Sequence, residues 1–427
     1  MNSSDRYQVV GGQPLQGEVP ISGAKNAALP ILAAALLSPA ETVIHATPAI
    51  RDIGVMIAIL QRLGAAVDVL DESETGRTLR IRADGLMTPE VGSAFTREMR
   101  SSIFLMGPLL ARTGLVRIAY PGGCAIGSRP IDFHLRGLEQ MGATIKEEHG
   151  FIEAEAPGGL VGTELYLDFP SVGATENLMM AAVLAKGTTV IRNAAREPEI
   201  VDLAEFCNKL GARIQGAGHD LIQIDGVDRL PALTGVEHAV IPDRIETATY
   251  LCAAAITGGD LTLTGVRANQ VVAVSAKLGE MGAQIDTAGD RMRIRGPKRP
   301  RAADVKTLPY PGYPTDAQPQ LMAVLAMANG TSIITETVFE NRLQVAGELK
   351  RLGAQVRTEG RTAVIKGVER LTGATVVCPA LREGMALVLA GLAAEGQTVI
   401  DGILHVDRGY HHLEQKLQAV GAQIERV

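Results

Sequence analysis

Val345-Ala346-Gly347-Glu348-Leu349-Lys350-Arg351-Leu352-Gly353-Ala354-Gln355-Val356 is the stretch that decides the fold. Val345, Ala346, Leu349 and Leu352 fall at helical spacing, Gly353 stands where a helix C-terminal cap is expected, and Ala354-Gln355-Val356 starts a β-like alternation. The phrase at its end recurs as Leu63-Gly64-Ala65, Met141-Gly142-Ala143, Leu210-Gly211-Ala212, Met281-Gly282-Ala283 and Val420-Gly421-Ala422. Successive glycines lie 78, 69, 71, 71 and 68 residues apart, so the chain reads as six copies of one unit.

A second helix recurs within the same period, at 26–37, 101–111, 175–185, 246–256, 316–328 and 383–394. These segments are apolar on nearly every face, and a helix apolar all round is buried all round. Each unit therefore holds a buried helix, an amphipathic helix and several strands. Six units make two α/β domains of three, with the midpoint near 228–238. A chain of 427 residues is itself too long for one ordinary core.

The net charge of −6 argues against a general nucleic-acid binder, although a local Arg and Lys cluster can still take a small anion. The N-terminus lacks the basic-then-apolar pattern of a signal peptide, and the longest apolar run, 27–37, is too short to span a bilayer. A soluble cytoplasmic protein without membrane contact is the expectation. Four widely spaced cysteines, Cys124, Cys207, Cys252 and Cys378, then read as free thiols.

Chemistry gathers at the starts of the buried helices, which carry the polar residues their bodies lack. Lys25, Arg100, Arg244 and Arg382 stand at matching positions of four repeats. Helix N-termini expose free N–H groups and a partial positive charge, so cations placed there predict an anion-attracting cleft. One loop, Tyr120-Pro121-Gly122-Gly123-Cys124-Ala125-Ile126-Gly127-Ser128-Arg129-Pro130, sets a thiol among glycines five residues from an arginine, the setting of a reactive cysteine. His134, His405, His411 and His412 show no ligand spacing and read as structural or surface residues. Neither metal nor cofactor is expected.

These motifs resemble one family. Ser22-Gly23-Ala24-Lys25-Asn26, the Cys124 loop, Pro170-Ser171-Val172-Gly173-Ala174-Thr175-Glu176-Asn177, Arg196-Glu197-Pro198-Glu199, Tyr313-Pro314-Thr315-Asp316 and Phe339-Glu340-Asn341-Arg342 are similar, in order and along the whole chain, to the UDP-N-acetylglucosamine 1-carboxyvinyltransferases (the MurA family). The resemblance implies an inside-out α/β barrel fold of the EPSP-synthase type, built from βαβαββ-type units. Its domains would be 22–238 and 1–21 plus 239–427, with the active site in the cleft between them. The implied reaction moves the enolpyruvyl group of phosphoenolpyruvate onto UDP-N-acetylglucosamine, the first committed step of peptidoglycan synthesis, in a monomer.

The resemblance also implies residue roles. Lys25 and Arg129 would hold the phosphate and carboxylate of phosphoenolpyruvate, with Arg100 and Arg382 as further cations. Cys124 would donate a proton to the enolpyruvyl methylene and assist product release. Asp316 would bind and deprotonate the sugar 3-hydroxyl, with Asn26 and the Val338 backbone contacting the sugar and Arg342 a further cation near the site. Arg129, Pro130, Ile131, Asp132 and Phe133 would pack on the uridine, and Ser171, Val172 and Gly173 would lie near the diphosphate. At the sixth buried helix the family usually has Asp-Leu-Arg followed by a small residue, whereas this chain has Ala380-Leu381-Arg382-Glu383. Glu383 is expected to cap that helix or to pair with Arg382. Two rivals remain: the same fold acting on shikimate phosphate, and a non-catalytic protein that binds UDP-sugar.

Overall fold

All six repeat glycines adopt the left-handed backbone that their position demands, with φ of 106° at Gly64, 95° at Gly142, 103° at Gly211, 102° at Gly282, 92° at Gly353 and 94° at Gly421. A side chain would be strained there, which is why glycine recurs where each outer helix turns into a strand. The computed structural model describes residues 5–86, 88–94, 99–120, 131–231 and 235–427.

The chain forms two compact units, one from Gly23 to Ile241 and the other joining Pro242–Val427 to the N-terminal segment up to Ser22. The expected boundary at residue 238 cuts through a strand: Val236–Ala239 pairs with Thr42–Thr47 and stays with the first of these units. Each unit has its own core, and the two cores share no residue.

In the Gly23–Ile241 unit the helices are α1 (Lys25–Ala34), α2 (Arg51–Leu63), α3 (Met106–Thr113), α4 (Asp132–Gln140), α5 (Val172–Ala182) and α6 (Pro198–Lys209). The other unit continues with α7 (Arg244–Thr257), α8 (Val272–Glu280), α9 (Gln318–Ala326), α10 (Val345–Arg351), α11 (Leu381–Ala393) and α12 (Leu413–Ala419). Odd-numbered helices form the interior. Every residue of α9 is buried, as is α11 from Arg382 to Leu392. Even-numbered helices bury one stripe: in α2, Ile53, Met56, Ile59, Leu60 and Leu63 point inward at helical spacing. Close approach needs a small residue at Gly107, where a Cβ would stand 2.3 Å from the Asn177 carbonyl oxygen of α5.

Two of the buried segments open as 3-10 turns rather than α-helix, over Arg100–Leu105 and Thr315–Ala317. In the second, Pro319 has no N–H to close an α-type bond to Thr315.

Six four-stranded sheets cover these helices among the described residues. In one, Glu164–Tyr166 pairs parallel to Thr188–Arg192, which runs antiparallel to Leu221–Asp225, and Ile214–Gln215 closes the edge. This βαβαββ plan repeats, but first strands are exchanged. Val236–Ala239 serves the first repeat, while Gln16–Pro20 pairs parallel with Asp260–Thr264 in the fourth. Arg6–Val10 lies between Gln397–Asp401 and Gln423–Arg426 in the last sheet. No helix among the described residues is long and apolar enough to cross a membrane.

Candidate functional site

Each unit carries its own cluster of the residues singled out in the sequence. In the Gly23–Ile241 unit, Lys25 is the first residue of α1. Its Nζ lies 2.7 Å from Asp52 Oδ2, and both side chains are buried. The helix-mouth cation is thus already paired with a carboxylate from the first turn of α2. Nothing in the sequence marked Asp52, since an acid there reads as an ordinary complement to the helix dipole. Asn26, next along, is half-buried.

Ser171 caps α5, where the Ala174 N–H donates to its Oγ over 3.3 Å. Ser171, Val172 and Gly173 are only half-buried, so the first turn keeps N–H groups within reach of an anion. Beneath it, His134 is buried and its Nδ1 sits 2.9 Å from Asn177 Nδ2, the structural role expected of it. Ile131 is buried at the start of α4. Asp132 pairs with Arg136 at 3.1 Å, and that guanidinium lies 5.1 Å from the centre of the Phe133 ring. Arg100 opens its 3-10 turn. Cys124, Arg129 and Pro130 lie outside the described residues, as does the Arg100 side chain.

The second cluster lies in the other unit. Asp316 is held by two arginines: Arg342 Nη2 donates to Oδ1, and Arg382 Nη2 donates to Oδ2 at 3.4 Å. Asp316 keeps 27% side-chain exposure, whereas both arginines are buried. The caps of the turn and of α9 have no side-chain hydrogen bond, so a capping role for Asp316 does not explain its presence. Burial works against the charge of Arg382, yet the Tyr410 hydroxyl, Asp316 and Asp243 hold its guanidinium above its ordinary value. Two of its nitrogens, Nε and Nη1, have no hydrogen-bond partner among the described residues.

Glu336, which the sequence reading missed, organises this cluster from below. It is fully buried and accepts from Thr307 Oγ1 at 2.8 Å, Thr315 Oγ1 at 2.9 Å, the Val338 N–H at 2.8 Å and the Phe339 N–H at 3.2 Å. Thr315 in turn receives Arg342 Nε at 3.4 Å. One carboxylate thereby fixes the Val338 backbone and the approach of Arg342 to Asp316.

Glu383 stands in the first turn of α11, where an acid suits the helix dipole, although the cap position itself is Ala380; its ion pair is with Arg342, whose Nη1 lies 3.5 Å away, and not the expected one with Arg382. Arg244, the remaining helix-mouth cation, lies 5.8 Å from the Tyr310 ring centre.

Chemically, the second cluster is a partly exposed base held by fixed cations, and the first supplies a buried ammonium and a helix N-terminus. The second suits proton removal from a hydroxyl, and the first suits the holding of anionic groups.

Comparison with known proteins agrees. The model of the EPSP synthase (3-phosphoshikimate 1-carboxyvinyltransferase) family matches residues 9–417. The UDP-N-acetylglucosamine 1-carboxyvinyltransferase 1 of Symbiobacterium thermophilum is 69% identical over 99% of this chain and 96% of its own length. That of Caldanaerobacter subterraneus subsp. tengcongensis is 52% identical over 99% of both chains. Among solved structures, the enolpyruvyl transferase NikO from Streptomyces tendae superposes with a TM-score of 0.88 at 25% identity, covering 99% of both chains. EPSP synthase from Acinetobacter baumannii gives 0.75 at 20% identity, a likeness of fold, over 99% of this chain and 100% of the other. With the repeats and the fold agreeing, the chain belongs to the EPSP synthase family of enolpyruvyl transferases, among the UDP-N-acetylglucosamine 1-carboxyvinyltransferases.

Proposed function

We propose that this protein transfers the enolpyruvyl group of phosphoenolpyruvate to the 3-hydroxyl of UDP-N-acetylglucosamine, releasing phosphate. The observation that carries the reading is Asp316, a partly exposed carboxylate oriented by two buried arginines. In the addition step the sugar oxygen bonds to C2 of phosphoenolpyruvate, Asp316 takes the hydroxyl proton, and Cys124 gives a proton to C3. In the elimination step C3 loses a proton, the bond from C2 to the phosphate oxygen breaks, and phosphate leaves.

Charge on phosphate and carboxylate persists throughout, which is work for Lys25, Arg100, Arg129 and Arg382. The two unpartnered nitrogens of Arg382 are donors that such an anion would satisfy. Val338 has its N–H committed to Glu336, so it would meet the sugar through its carbonyl. Asn26 and Arg342 are assigned to the same sugar, Ser171, Val172 and Gly173 to the diphosphate, and Arg129, Pro130, Ile131, Asp132 and Phe133 to the uridine. The two units are read as the two domains of a monomeric enzyme working in the cytoplasm, where its substrates are soluble.

The deciding experiment measures phosphate release from phosphoenolpyruvate with each candidate acceptor. Release with UDP-N-acetylglucosamine alone is the expected result. Release only with shikimate 3-phosphate, or binding of UDP-sugar without release, would overturn the reading.

A further inference from the structure

Glu383 is a buried acid in the first turn of α11, held among the described residues by a single ion pair to Arg342. Its residue is 1% exposed, and neither carboxylate oxygen has a hydrogen-bond partner among the described residues. The same unit satisfies its other buried carboxylates fully. Glu336 accepts four hydrogen bonds, and Glu246 accepts from Lys416 Nζ at 2.8 Å and the Ser22 N–H at 2.7 Å. A buried carboxylate left with one ion pair at 3.5 Å weakens the fold, so its presence points to another use.

The surroundings suggest that use. Arg342 stands between two acids, with Nη2 on Asp316 and Nη1 facing Glu383. Arg382 reaches the other oxygen of Asp316. Other ionisable groups of the described residues around this cluster are Tyr410 and Asp243, through Arg382, Glu336, through Thr315, and the Cys378 thiol beside Glu383. Burial raises the affinity of Glu383 for a proton, Arg342 opposes that, and Asp316 adds to it. Two arginines acting undiluted on Asp316 would make it a weak base, because each cation favours its ionised form.

We propose that Glu383 is a positioning residue that draws on Arg342 and so keeps Asp316 basic enough to accept the sugar proton. The inference rests on the reading of Asp316 given under Proposed function. Its test is Glu383→Gln, which keeps the size and removes the charge, followed by the pH profile of kcat/KM and by melting. The acid limb is expected to move to lower pH by about half a unit to one unit, with plateau turnover falling roughly three- to tenfold. The melting temperature is expected to change little, since Arg342 keeps Asp316 as its carboxylate and the Gln amide oxygen can still accept from it.

Glu383→Asp, which keeps the charge, should leave the limb within about 0.2 unit of the parent. An unmoved limb in Glu383→Gln, or a Glu383→Asp variant that behaves like it, would overturn the proposal. Asp316→Asn measured alongside separates the two claims. If that variant keeps its turnover, the assignment of Asp316 fails; if it is inactive while the limb of Glu383→Gln stays put, only the role of Glu383 falls.

Discussion

Replacing Asp52 with Asn should destabilise the Gly23–Ile241 unit measurably, because Lys25 would be left buried without its carboxylate. The pair is 2.7 Å apart with side chains 9% and 2% exposed. At an effective dielectric of 20, two unit charges at that distance attract by about 6 kcal/mol, most of which offsets the cost of removing both from water. Removing one partner exposes that cost, typically 3–5 kcal/mol, and the lower end applies because Asn still accepts a hydrogen bond. For a domain of this size about 3 kcal/mol corresponds to a melting shift of roughly 6–12 °C.

Calorimetry of the full chain provides the assay, with the transition of the other unit as internal reference. Inorganic phosphate adds a second arm: an anion that can replace the lost carboxylate beside Lys25 should raise the melting temperature of the variant more than that of the parent. A fall of under about 2 °C, or equal stabilisation of both proteins by phosphate, would refute the reasoning.

Three further outcomes follow from the same geometry. Asp316→Asn should melt a few degrees lower, because two buried arginines lose their shared carboxylate, and should still bind UDP-sugar, yet lose turnover by about a hundredfold or more, as steady-state kinetics would show. Burial pushes the thiols of Cys207, Cys252 and Cys378 up to about 12, leaving about one thiolate in 10⁵ at pH 7, so mass mapping after sub-stoichiometric alkylation should find Cys124 labelled first. Gly107→Ala should cost roughly 1–3 kcal/mol in denaturant unfolding, since its methyl would collide with the Asn177 carbonyl.

How much of this could be read in advance depended on whether a signal is local. The buried helices were legible because their apolar character is continuous, and the repeat glycines because left-handed backbone selects one residue type. The 3-10 opening at Thr315 was present in the sequence as Pro319, but the apolar run that follows hides it. Asp316, Arg342 and Arg382 could each be placed from their motifs, whereas the meeting of the two arginines, 26 and 66 residues further on, at one carboxylate comes only from packing. Asp52 and Glu336 were invisible for the same reason. Each is an unremarkable acid in its own segment, and its importance comes from what the fold brings against it.

The exchanged strands impose an order on synthesis. The sheets of the Gly23–Ile241 unit pair only strands that lie between residues 42 and 239, so they can close as soon as that stretch emerges. The other unit must hold Arg6–Val10 with both edges unpaired until residues 397–426 appear, since Tyr7 bonds to Arg426 across 419 positions. The two ends then meet, with the Arg6 N–H donating to the Val427 carbonyl at 2.9 Å. A circular permutant opened between Ile241 and Pro242, with Val427 linked to the N-terminus, would make both units continuous in the ribosomal order and should refold faster and with less aggregation than the natural arrangement.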